Sequence, residues 1–215
     1  MKKLKIMKIL EFGNIESNTV LIQPVDDHDL AVMDNEVSVL KKMAGDSFHL
    51  ITVIINSWNN DLSPWKAPPV YGDEAFGGGA DDVLQEILRI TEDKDKRYFI
   101  GGYSLAGLFS LWAAYQTDVF SGVAAASPSV WFPGFREYVK EHEICTNKIY
   151  LSLGDREEKT RNPVMSQVGD SIREIHDWYK KKGLACTLEW NKGNHFKDPD
   201  IRTSRAFEWI MKGEV

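Results

Sequence analysis

Ser104 stands in the segment Ile100-Gly101-Gly102-Tyr103-Ser104-Leu105-Ala106-Gly107, between a β-prone run and a strongly helical one. A serine at such a strand-to-helix corner is thrust outward by a tight turn. Small residues two before and two after it let strand and helix approach closely. Gly102 and Ala106 hold those places; a methyl stands where a second glycine is usual, with Gly107 following. A serine hydroxyl attacks a carbonyl carbon only when a neighbouring base takes its proton. His195, in Gly193-Asn194-His195, is the candidate base, and a carboxylate from the loop Gly154-Asp155-Arg156-Glu157-Glu158 would orient its imidazole and stabilise it when charged. Glu157, three residues past Gly154, is the first candidate, Asp155 the second and Glu158 a third. The oxyanion formed by the attack needs N–H donors. The backbone of Leu105, just after the serine, is one candidate donor, and the second is expected from the loop after the run 48–55, at Trp58.

Each of these residues has a plainer reading. A serine in a glycine-rich turn is commonly a turn residue, a loop histidine commonly a surface group, and loop acids commonly solvated. What separates the two readings is order: serine, acid and histidine each follow a strand-like run. Aromatics gather in loops at the same end, at Trp58, Trp65, Tyr103, Trp131 and Phe132. They serve either as packing or as an acyl or aryl pocket, with Trp131, Tyr103 and Trp65 the candidate substrate contacts. Asp81 and Asp82 sit at a helix start, where carboxylates complement the helix dipole, and the chemistry calls for no metal and no cofactor. His28, His49, His142 and His176 read as structural.

The elements that must position these groups alternate along the chain. Strands are expected at 6–12, 19–23, 48–55, 97–101, 120–125, 148–153 and 185–190. Helices are expected at 30–43 (closed by Gly45), 80–90 (capped near Asp81), 108–115, 135–141, 164–181 (closed by Gly183) and 201–211. This alternation predicts an α/β class with a mostly parallel sheet covered by helices on both faces. In such sheets, reactive groups gather beyond the carboxyl ends of the strands. The Pro-, Gly- and Trp-rich segment 56–79 lacks periodicity and reads as a long site-walling loop.

At 215 residues, the chain supports one domain spanning 1–215. A formal charge of −6 argues against a nucleic-acid partner. No apolar run is long enough for a membrane span, and none follows the basic start in the manner of a signal peptide. Two cysteines, Cys145 and Cys186, are too few for a disulfide framework and read as buried thiols of a cytoplasmic protein. The expected state is a monomer or homodimer.

The elbow 102–107, the segment Ser127-Pro128-Ser129-Val130-Trp131 and Gly193-Asn194-His195 together resemble the α/β-hydrolase esterase family that includes Esterase D and enterochelin-type siderophore esterases. In element order the resemblance covers nearly the whole chain. It implies a three-layer α/β-hydrolase fold and a serine hydrolase cleaving a carboxylic ester or thioester of a small molecule without a cofactor. Ser104 then matches the nucleophile, His195 the base, Glu157 the acid and Trp131 a site-lining aromatic. Some siderophore esterases are thought to use a Ser-His dyad, in which the acid is dispensable. The chain lacks the cap domain of larger relatives, and its 155–158 loop is unusually charged. A peptidase or amidase on the same triad, or a non-catalytic binding module on this scaffold, are the competing expectations.

Overall fold

The strands run in the order β1 (Ile9–Gly13), β2 (Thr19–Val25), β3 (His49–Ile54), a two-residue hairpin of β4 (Lys66–Ala67) and β5 (Phe76–Gly77), β6 (Arg97–Tyr103), β7 (Phe120–Ala126), β8 (Lys148–Gly154) and β9 (Ala185–Asn191). The helices are α1 (Asp27–Ala44), the one-turn α2 (Trp58–Asp61), α3 (Ala80–Arg89), α4 (Leu105–Gln116), α5 (Phe135–Glu141), α6 (Val168–Lys181) and α7 (Pro199–Met211). This computed structural model describes residues 7–212. Among them, seven strands form one sheet in the order β1-β3-β2-β6-β7-β8-β9. Only β1 is antiparallel, paired with β3; every other pairing in that sheet is parallel.

Strands buried on both faces should split their side chains between two cores, and these do. Val20, Ile22, Tyr98 and Ile100 pack with Leu84, Ile87, Leu108, Phe135 and Ile172 from α3, α4, α5 and α6. Their neighbours Leu21 and Phe99 pack with Met33 and Leu40 of α1 and Phe207 and Ile210 of α7. The sheet is thus the middle of three layers. Helix α4 is apolar all round, with every residue from Leu105 to Tyr115 buried, as expected of a central helix. It anchors Ser104 to the buried core.

Several boundaries differ from the sequence expectation. The first strand begins at Ile9, and the expected residue Ile6 lies outside the described residues. Strand β6 runs on to Tyr103, and α4 begins at once at Leu105, with no loop between. Asp81 does not cap α3: Gly79 occupies the cap, while Asp81 and Asp82 sit in the first turn, where the dipole accounts for them. The expected helix 164–181 opens as a 3-10 turn, Met165–Gln167, before α6 proper. Pro163 lacks the N–H that a longer helix would use, and Asn162 Oδ1 instead takes the N–H groups of Val164 and Met165. Segment 56–79 is not wholly irregular, since it holds α2 and the β4–β5 hairpin. Cys186 is buried, but Cys145 is exposed, contrary to the expectation of two buried thiols.

Candidate active site

Strands β6, β7, β8 and β9 are consecutive in the sheet and parallel, so the residues after each meet at one edge. Ser104 follows β6, Ser127 follows β7, Gly154 closes β8, and the 192–198 loop follows β9. Side chains separated by up to 91 residues become neighbours for that reason alone.

Ser104 carries φ 57° and ψ −120°, a conformation that L-residues rarely adopt. Three backbone hydrogen bonds hold it there. Its N–H donates to the Ala126 carbonyl (3.1 Å), and its own carbonyl accepts from Leu108 (3.1 Å) and Ser129 (3.0 Å). The substitution in the elbow pattern has a steric explanation. A Cβ at Gly102 would lie 2.7 Å from the Ala106 methyl, so the glycine before the turn makes room for the alanine after it.

His195 Nε2 lies 3.0 Å from Ser104 Oγ, and His195 Nδ1 lies 2.6 Å from Glu157 Oε2. An ionised carboxylate can only accept, so Nδ1 carries the ring proton and the Nε2 lone pair faces the serine hydroxyl. Glu157 is buried, with its side chain 5% exposed, while that of His195 is 27% exposed. Burial pushes the Glu157 carboxyl upward. The hydrogen bond and charge of His195 and the donors Gly154 N–H and Ser127 Oγ outweigh it and hold the group below its ordinary value. Gly154 is required here because a Cβ would come within 2.5 Å of the Gly193 carbonyl and 2.9 Å of Glu157 Oε1.

The other two acids point elsewhere. Asp155 Oδ1 accepts from Gly193 N–H (2.9 Å), tying the 155–158 loop to the histidine loop. Glu158 pairs with Arg173 of α6 at 3.0 Å. Of the three carboxylates weighed from the sequence, Glu157 is the one that reaches His195.

Leu105 begins α4 and Trp58 begins α2, so both N–H groups belong to first turns, which lack intrahelical acceptors. Ser129 Oγ lies 3.3 Å from Ser104 Oγ and is a second hydrogen-bond partner for the hydroxyl. A cleft of about 230 Å³ opens beside the histidine, lined by Ser127, Trp131, Arg156, Met165, His195 and Phe196 among others. Lys159 and Val168 also line it. Phe196 stands 85% exposed at its rim. Arg156 and Lys159 are exposed, and neither forms an ion pair among the described residues.

Two of the three aromatics expected to touch substrate do not line this cleft. Tyr103 is buried beneath the histidine. Its hydroxyl donates to the His195 carbonyl (2.7 Å), and its ring centroid sits 5.1 Å from the imidazole. Trp65 packs on Phe132 and Tyr138, and its Nε1–H donates to the Pro133 carbonyl (3.0 Å). In both, the polar tip donates to a backbone carbonyl, as packing aromatics do. Trp131 does line the cleft, edge-on to Tyr71.

The sequence reading missed Arg202. Its side chain is 2% exposed, and its Nη1 donates to Glu157 Oε1 (3.0 Å), Tyr103 Oη (3.0 Å) and Ser127 Oγ (3.2 Å). Its Nη2 donates to the Asn194 carbonyl (3.1 Å). A signal existed: Arg202 shares a helix face with Ala206 and Ile210, so it is a lone charge on the buried stripe of α7.

No protein-family model and no curated protein matches the chain. Solved structures do. A siderophore hydrolase, EstA from Aspergillus nidulans, superposes with a TM-score of 0.66 at 20% identity, covering 96% of this chain and 94% of that one. An IroE-like serine hydrolase from Shewanella oneidensis reaches 0.72 at 15% identity, covering 94% and 75%. A Bacillus cereus carboxylesterase reaches 0.61 at 11% identity, covering 96% and 94%. Likeness of this degree speaks for architecture, and with the parallel sheet and its serine-bearing elbow it establishes that the chain has the α/β-hydrolase fold.

Proposed function

We propose that this protein is a serine esterase in which Ser104, His195 and Glu157 form the catalytic triad. The observation that carries the reading is the unbroken relay from carboxylate to imidazole to hydroxyl, 2.6 and 3.0 Å long, beyond the carboxyl ends of β8, β9 and β6. In the reaction, His195 Nε2 takes the Ser104 proton as Oγ bonds to the ester carbonyl carbon. The oxyanion is met by the N–H of Leu105, with the N–H of Trp58 as second donor, and collapses as the alcohol leaves with the proton from His195. Water, deprotonated by the same imidazole, then attacks the acyl-enzyme, releasing the acid and restoring the serine. Glu157 keeps the imidazole in the required tautomer throughout. The carboxylesterase among the structural neighbours supports an ester substrate.

The cleft supports a class of substrate. Trp131, Met165, Val168 and Phe196 offer apolar contact, while Arg156 and Lys159 are cations without an ion-pair partner among the described residues. A small ester combining an apolar or aryl group with a negative charge fits both. The test is labelling with a fluorophosphonate probe together with p-nitrophenyl acetate hydrolysis. Wild type should be labelled and active, and Ser104→Ala neither. Labelling that persists in Ser104→Ala would sink the assignment, and faster turnover of a matched amide than of its ester would favour an amidase.

A further inference from the structure

Arg202 carries a buried charge that no step of the reaction consumes. Removing a guanidinium from water is costly unless its donors and its charge are both matched. Glu157 matches the charge, but the remaining bonds go further than an ion pair requires. The same fork that holds Glu157 Oε1 also holds the Asn194 carbonyl, one residue before the histidine. Through Tyr103 Oη it reaches the His195 carbonyl as well. Acid and base, which arrive on separate strands, are thus fixed relative to one another by one planar group whose donors have set angles.

We propose that Arg202 is a positioning residue that locks Glu157 to the histidine loop, so that carboxylate and imidazole stay in hydrogen-bond register. The kinetic test of this proposal rests on the esterase reading; the hydrogen-bond test does not.

The experiment compares wild type, Arg202→Met, Arg202→Lys and Arg205→Met, the last removing an exposed cation from the same helix that pairs with Glu189. Hydrolysis of p-nitrophenyl acetate is measured, and the His195 Nδ1–H is followed by NMR with 15N-labelled histidine as a reporter of its bond to Glu157. In Arg202→Met, kcat should fall tenfold or more with KM within about twofold, and the downfield Nδ1–H signal should broaden or vanish. Arg202→Lys keeps the charge and loses the fork, so kcat and the signal should weaken there too. Arg205→Met should match wild type. A folded Arg202→Met with wild-type kcat and Nδ1–H signal overturns the proposal. If Arg202→Met does not fold, Arg202→Lys decides: wild-type kcat and signal overturn the locking role, and reduced kcat with a weakened signal supports it. Should wild type neither hydrolyse the ester nor take the probe, the esterase reading fails, and the Nδ1–H signal still decides whether Arg202 locks the pair.

Discussion

Glu157 divides its two oxygens between two tasks. Oε2 meets His195, while Oε1 gathers Gly154 N–H, Ser127 Oγ and Arg202 Nη1. A glutamine could imitate the shape but would present either an amide NH₂ or an uncharged oxygen to Nδ1. We expect Glu157→Gln to lower kcat on p-nitrophenyl acetate by about three to four orders of magnitude, the loss seen when a triad acid becomes an amide. Asp155→Asn, which touches only a loop N–H, should keep most of the turnover, and equal activity in both variants would point to a dyad. Glu157 also ties stability to pH. Its folded carboxyl sits below the ordinary 4.5, so its contribution is complete above that value and disappears as pH falls through the folded value. Thermal melts between pH 3 and 6 should show wild type losing stability more steeply than Glu157→Gln below about 4.5. At this scale the sequence was legible where chemistry imposes order: Ser104, an acid after β8, and His195. It did not separate Glu157 from Asp155, because both lie in one loop and only the loop's turn decides which reaches inward. Tyr103 and Trp65 do not line the cleft beside His195, which the sequence does not reveal because an aromatic near a candidate nucleophile looks the same whether it faces a cleft or packs against the protein.

The elements transmit constraints over longer distances. Between β6 and α4, Gly102 leaves space that the Ala106 methyl takes up. Gly102→Ala should therefore destabilise by about 1–3 kcal/mol through overpacking, with Ala106→Gly restoring much of the loss. Denaturant melts of the two single variants and the double one measure that coupling, and simple additivity would contradict it. On the opposite face, α1 carries Glu36 into the core beside Gln23 of β2. Burial first, and then the nearby Asp29, raise its carboxyl well above the ordinary value. Such a group contributes fully below its unfolded value of 4.5, and that contribution is lost as pH rises toward the folded value. Glu36→Gln should hence raise Tm at pH 7.5 by about 2–4 °C, the shift typical of 1 kcal/mol in a domain of this size, and change it little at pH 4. Element types were readable because their hydrophobic periods are strong, while their ends were not. The α3 cap fell to Gly79 and not Asp81, and Pro163 with Asn162 rebuilt the entrance to α6.

Across the whole molecule, the sheet order decides which loops can cooperate. The four central and edge strands β6 to β9 bring the reactive loops together, and the mean charge of the chain differs in sign from that of the cleft they form. The protein is negative by six charges, yet Arg156 and Lys159 line the cleft with no ion-pair partner among the described residues. For an ester bearing a carboxylate, kcat/KM should fall as NaCl rises from 20 to about 500 mM, because the attraction acts over a screening length that shrinks from tens to a few ångströms. A neutral ester of equal size should be nearly insensitive, and Arg156→Ala should reduce the difference between them. Equal salt response for both esters would remove the cations from substrate recognition. The parallel, alternating architecture was plain from the sequence, since each strand-like run is followed by a helical one. The convergence of Arg202 on the site was not, because it depends on α7 crossing back beneath β6 and β7. That crossing has a consequence for biosynthesis. A nascent polypeptide that has emerged from the ribosome only as far as Leu184 possesses Ser104 and Glu157 but neither His195 nor Arg202, so the proposed triad can assemble only once the last strand and helix have docked.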